Sequence, residues 1–149
     1  MKLIKTSKAA LIIAVGLLLG LLSPVQAATN NSVDRLPNFN LDDEITDRIT
    51  PRLLIQESIA GEFDGSLEVF ELMLQGAEWL AEDHAFNWER MVADTQTTGL
   101  SNVQISAVRV SDQIMQISFS GESSGQTEGL LSIPLYSKLT SPGYAMVTI

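Results

Sequence analysis

Cysteine is absent from this 149-residue chain, histidine occurs once, and basic residues are half as numerous as acidic ones, 9 against 18. With no thiol, the chain can form no disulfide, thiolate metal centre or cysteine nucleophile, and it cannot carry a lipid-modified cysteine. One imidazole, His84, cannot supply the several ligands of a histidine- and cysteine-built zinc or iron site. A Ser-His-Asp triad would have to use that same residue. It stands among Glu82, Asp83, Phe86 and Trp88, a setting that suits a surface or capping histidine. No cofactor is expected. The shortage of cations also speaks against nucleic acid as a partner, because replacing phosphate counterions takes a basic patch. Beyond residue 8 the cations are Arg35, Arg48, Arg52, Arg90, Arg109 and Lys138, and they are scattered.

What is present begins with a secretory address. Lys2, Lys5 and Lys8 precede an apolar run from Ala9 to Leu22, and Pro24 closes it before Val25-Gln26-Ala27, a step suited to a signal peptidase. The run spans 14 residues, whereas a membrane-crossing helix needs about 20. A removed signal over residues 1–27 is therefore expected, with no stable anchor after cleavage and a periplasmic or secreted product. All 18 acidic residues lie at or beyond Asp34, and three of the nine basic ones are the leader lysines, so the product carries six cations and a net charge of −12. Such acidity keeps an exported domain soluble and disfavours anionic membrane surfaces.

Residues 28–40 read as a flexible linker, polar at Thr29-Asn30-Asn31-Ser32 and broken at Leu36-Pro37-Asn38. Residues 41–149 then form one expected α+β domain, with a helical half at 41–94 and a sheet half at 103–149. Asn40 suits an N-cap ahead of Asp42, Asp43 and Glu44. Thr50-Pro51 suits the start of a second helix that ends at Gly61, although the β-branched content of residues 51–60 leaves a strand open. The spacing of Glu68, Glu71, Gln75, Glu78 and Glu82 predicts a helix over residues 66–82, with Leu67, Phe70, Leu74, Ala77 and Ala81 on its other side. Leu72 and Trp79 fit that division badly, because they fall beside the acidic stripe. Either a neighbouring segment such as residues 85–92, with Phe86 and Trp88, covers them, or they form a partner surface.

After residue 102 the period changes from 3.6 to 2. Val103–Val110, Ile114–Phe119, Glu128–Tyr136 and Tyr144–Ile149 are four predicted strands, separated by turn-forming residues. Met115, Ile117 and Phe119 share one face, which the helices are expected to cover. Pro134 cannot donate a ladder hydrogen bond, so the third strand is placed at an edge and the fourth beside the first, with a meander as the alternative.

Chemistry-bearing patterns are sparse. The carboxylates of residues 68–82 share one solvated stripe in this reading and do not converge on a cleft as glycoside hydrolysis requires. Asn38-Phe39-Asn40-Leu41-Asp42 begins like a calcium loop, but Asp43 stands where glycine is needed and Ile49 where the closing glutamate belongs. Asn30-Asn31-Ser32 has the three-residue pattern of a glycan acceptor.

The expected architecture is helices packed on one face of a four-stranded antiparallel sheet. The expected function is that of an exported, acidic, non-enzymatic binding or adaptor protein of a bacterial envelope or medium. Its helical half would contact a protein partner through Leu72, Trp79 and Trp88, with His84 nearby. An alternative is a small-molecule-binding or hydrolytic pocket lined by Trp88, Tyr136 and His84. The order of apolar leader, helix and four-stranded sheet also resembles, in outline, that of type IV pilin-like subunits. Those keep their apolar helix behind a glycine cleavage site with a nearby glutamate, and here no acidic residue precedes Asp34.

Overall fold

The structure, a computed structural model, describes residues 29–33, 42–46, 50–141 and 146–149. The expected leader and the Asn40 cap lie outside these residues. Of the expected linker only residues 29–33 are described, and they form a strand.

The chain is built of strands. They are β1 Thr29–Val33, β2 Glu44–Ile45, β3 Arg52–Glu57, β4 Glu68–Gln75, β5 Ala77–Trp79, β6 Gln96–Thr98, β7 Leu100–Arg109, β8 Ile114–Ser123, β9 Leu130–Pro134, β10 Ser137–Leu139 and β11 Met146–Thr148. The one helix among the described residues is α1, Trp88–Ala93, whose N-cap Asn87 accepts a hydrogen bond from the Arg90 N–H. The expectation of helices on a four-stranded sheet is therefore wrong. Two of the segments read as helical, residues 51–60 and 66–82, contain strands β3, β4 and β5 instead, and Glu44–Ile45, in the element expected to follow the Asn40 cap, is β2.

The reason is visible in residues 68–79. Along β4 the residues Phe70, Leu72 and Leu74 turn inward, whereas Val69, Glu71, Met73 and Gln75 turn outward, which is the alternation of a pleated strand. At Gly76 the backbone takes φ 75°. This left-handed residue shifts the alternation by one, so the next inward residues are Ala77 and Trp79. A one-residue slip turns a period of two into mixed spacings of two and three, and that mixture imitates a helix.

All strand ladders are antiparallel, and they form three sheets with orders β1-β3-β9-β6, β2-β10-β5 and β11-β4-β8-β7. The two four-stranded sheets enclose one core. Leu53 and Ile55 of β3 and Leu131 and Ile133 of β9 come from one side, and Leu72, Leu74, Met115, Ile117 and Phe119 of β4 and β8 from the other. The expected inward face of Met115, Ile117 and Phe119 is thus present, but a second sheet covers it in place of helices. Three strands bend from one sheet into the next: β4 into β5 at Gly76, β6 into β7 at Gly99, and β9 into β10 at Leu135–Tyr136. The ladders β4–β8, β8–β7, β6–β9 and β10–β5 consequently join into a closed circuit.

The expected strand order is also corrected. β7 pairs with β8, but β9 lies between β3 and β6, and β11 pairs with β4. Pro134 is tolerated inside the sheet for a geometric reason. Leu135 donates its N–H to Pro51 O at 2.9 Å, on the β3 side. Alternation therefore points the nitrogen of Pro134 toward β6, whose pairing ends at Ser132. The missing donor faces no ladder.

Candidate functional site

The residues singled out from the sequence do not form a surface. Leu72 is 0% exposed and Trp79 is 2% exposed, and both belong to the core. Phe86, Trp88, Met91 and Tyr136 gather around Trp79 and leave no room for a water molecule. The indole of Trp79 donates to Gln113 O at 3.1 Å, so its single polar atom is satisfied inside the core. For Trp79, the cover includes Phe86 and Trp88 of the segment expected at residues 85–92; Leu72 is not part of that cluster. His84 sits beside this cluster, accepting the Phe86 N–H at Nδ1 and placing Nε2 3.3 Å from Glu44 Oε2. Trp88 and Tyr136 meet in this filled cluster, which leaves no water-sized space between them, and His84 is not among its lining residues.

A polar network closes this corner. Tyr136 donates its hydroxyl to Asp94 Oδ2 at 2.7 Å, and the same oxygen accepts Arg90 Nε at 2.6 Å. Arg52 donates to Ser132 Oγ and Ser132 O, each at 2.7 Å, and to Asp94 O at 3.0 Å. Burial first, and then the Asp94 hydrogen bond, push the Tyr136 phenol up to about 12. A phenol so reluctant to ionise and so fully bonded ties α1 to β9 and β10. It is poorly suited to proton transfer.

The other buried titratable group is Glu57, at 0% exposure. Its carboxylate accepts the N–H of Phe63, the N–H of Gly129 and the hydroxyl of Ser123. Burial alone would raise its pKa, but the bonds from Phe63, Gly129, Ser123 and Gly61 together outweigh it and hold the carboxyl below its usual value. Ser123 corrects the expectation that no serine lies in a Gly-x-Ser-x-Gly setting. Gly121-Glu122-Ser123-Ser124-Gly125 has the spacing of a nucleophile elbow. Here Ser123 ends strand β8 with no helix after it, and its hydroxyl donates to Glu57 and accepts the Gly61 N–H at 2.9 Å. It is a structural clasp. Among the described residues no group of three or more His, Cys, Asp or Glu could hold a metal ion.

Two open clefts of similar size occur among the described residues, one of about 380 Å³ lined by Glu78, Ser111, Asp112, Gln113 and Thr140, and one with an apolar floor where the two large sheets stay open. Among the described residues β1 pairs only with β3, and β11 only with β4, so each presents one backbone edge without a described partner. A cleft of about 370 Å³ runs between them, walled by Asn31–Val33 of β1 and Val147–Ile149, with Leu53 beneath. A narrower cleft of about 130 Å³ shares Asn31 and Ile149 with it. Its lining includes Phe63, Phe70, Phe119 and Leu131, with Thr29 and Glu68 also contributing. Together they form one slot with an apolar floor and strand edges for walls. No local pattern in the sequence marks it, because its walls come from segments more than a hundred residues apart.

Compared with known protein families, curated proteins and solved structures, the chain matches none.

Proposed function

We propose that this chain is an exported, acidic, non-enzymatic binding protein that holds a protein partner in the slot between β1 and β11. The observation that carries this reading is the slot itself: core residues Leu53, Phe119 and Leu131 lie beneath an opening flanked by two strand edges without a described partner. Apolar surface bordered by unpaired backbone is a usual template for another chain. Export rests on the basic and apolar leader, Lys2 to Leu22. The buried acid and phenol, Glu57 and Tyr136, have partners within the fold, which favours binding over catalysis.

A photo-crosslinking side chain at position 33, placed in the native envelope or medium, should capture one stoichiometric protein, whereas the same group at position 108 should not. Val108 is exposed on the outward face of β7. Capture from position 108 alone, or a monomer that co-purifies with a small molecule, would overturn the proposal.

A further inference from the structure

Taking the slot as the partner site, we infer that its occupant is an extended peptide strand that adds to the free edge of β4 and carries a lysine or arginine to Glu68. β4 pairs with β8 from Glu68 to Met73, but on its other edge β11 covers only Met73–Gln75. Among the described residues, the backbone from Glu68 to Glu71 therefore has a ladder partner on one edge and none on the other. That stretch supplies Glu68, Val69 and Phe70 to the wall of the narrower cleft, and Thr29 and Asn31 of β1 stand on the opposite wall. An extended segment laid there continues the line of β11. Its main-chain groups meet the β4 edge, and its alternate side chains point into the floor at Ile55, Phe119 and Leu131.

Charge selects among occupants. Glu68 is the one charged residue lining either cleft of the slot and makes no ion pair among the described residues. A cation on the incoming strand gives it a partner at a half-buried position, and the acidity of the whole chain steers such a strand inward. An acidic strand is repelled on both counts.

The probe is a nine-residue peptide of alternating valine and threonine with one central lysine, added to the protein beginning at Ala28. Binding should slow amide hydrogen exchange at residues 68–71 and 29–31. Replacing the lysine of the probe by glutamate, or methylating alternate backbone amides, should weaken binding about tenfold or more. Glu68→Gln should remove most of the preference for lysine, and Glu68→Lys should reverse it. Because Glu68 is half-buried, the unfolding midpoint of each variant is measured beside its affinity, and the comparison uses variants that keep the wild-type midpoint. Equal affinity for the lysine and glutamate probes, or undiminished binding of the methylated one, overturns the inference. Crosslinking at position 33 can still succeed in that case, so the broader binding proposal fails separately. Protection of residues 68–71 by residues 1–28 in the full-length chain, with exclusion of the probe, also overturns it, because the occupant is then the chain's own leader.

Discussion

Replacing Glu57 with glutamine tests whether a buried carboxylate clasps this fold. The side chain is 0% exposed, and its two oxygens take the Phe63 N–H, the Ser123 hydroxyl and the Gly129 N–H. Glutamine has nearly the same shape but only one accepting oxygen. Whichever way its amide lies, an NH2 group meets a backbone N–H, leaving two donors face to face with no acceptor. At about 1–3 kcal/mol for each buried unsatisfied donor, Glu57→Gln should cost about 2–5 kcal/mol. With a urea slope of about 2 kcal/mol/M, the unfolding midpoint should fall by about 1–2.5 M. The pH dependence gives a second check. Because the folded-state pKa is depressed below 4.5, the carboxylate's contribution is complete above the unfolded value and is lost as pH falls through the folded value. The gap between wild type and Glu57→Gln should therefore narrow on acidification. A variant midpoint within about 0.3 M of wild type at pH 7, or a gap that widens in acid, would refute the clasp.

Other substitutions probe the core and its corner. Trp79→Ala removes a side chain that is 2% exposed and bonded to Gln113 O, and should lower stability by about 3–5 kcal/mol in urea unfolding. Retention of the wild-type midpoint would put Trp79 outside the core. Gly129→Ala would set a methyl group in overlap with Leu100 Cδ2 and 3.0 Å from Phe63 Cδ2. A loss of about 1–3 kcal/mol is expected by thermal unfolding, and an unchanged melting temperature would contradict it. Tyr136→Phe removes the hydroxyl that bonds Asp94. It should cost about 0.5–3 kcal/mol and speed amide exchange in α1 relative to β8; uniform exchange changes would show that the bond does not tie the helix down.

The strands beyond residue 102 were legible because their alternation is clean: Met115, Ile117 and Phe119 point inward, and Gln116 and Ser118 lie between them. Residues 66–82 were misread for two physical reasons. Val69 and Met73 are apolar residues on the exposed face of β4, at 45% and 43%, which blurs the alternation. Gly76 then shifts the inward set by one residue. Leu72 and Trp79, the two residues that a helix could not accommodate, are among the most buried in the protein. Their misfit was the available sign that the period was wrong. Glu57 gave no sign, since a lone glutamate within residues 51–60, read as a short helix with a strand left open, is ordinarily solvated. Only loops arriving from Phe63, Ser123 and Gly129 make it an acceptor worth burying.

The amino-acid sequence alone showed that this chain has no cysteine for thiol chemistry or disulfides and that its acidic residues outnumber its basic ones, 18 to 9. It also carried the alternation that buries one face of β8. These properties are local or additive, so they survive being read one residue at a time. The pairing of β9 with β3 and β6, the closed circuit of ladders and the slot between β1 and β11 were decided only in three dimensions. Strand partners are chosen by which distant edges can share a core and satisfy one another's hydrogen bonds, and a slot is what remains where two edges cannot meet.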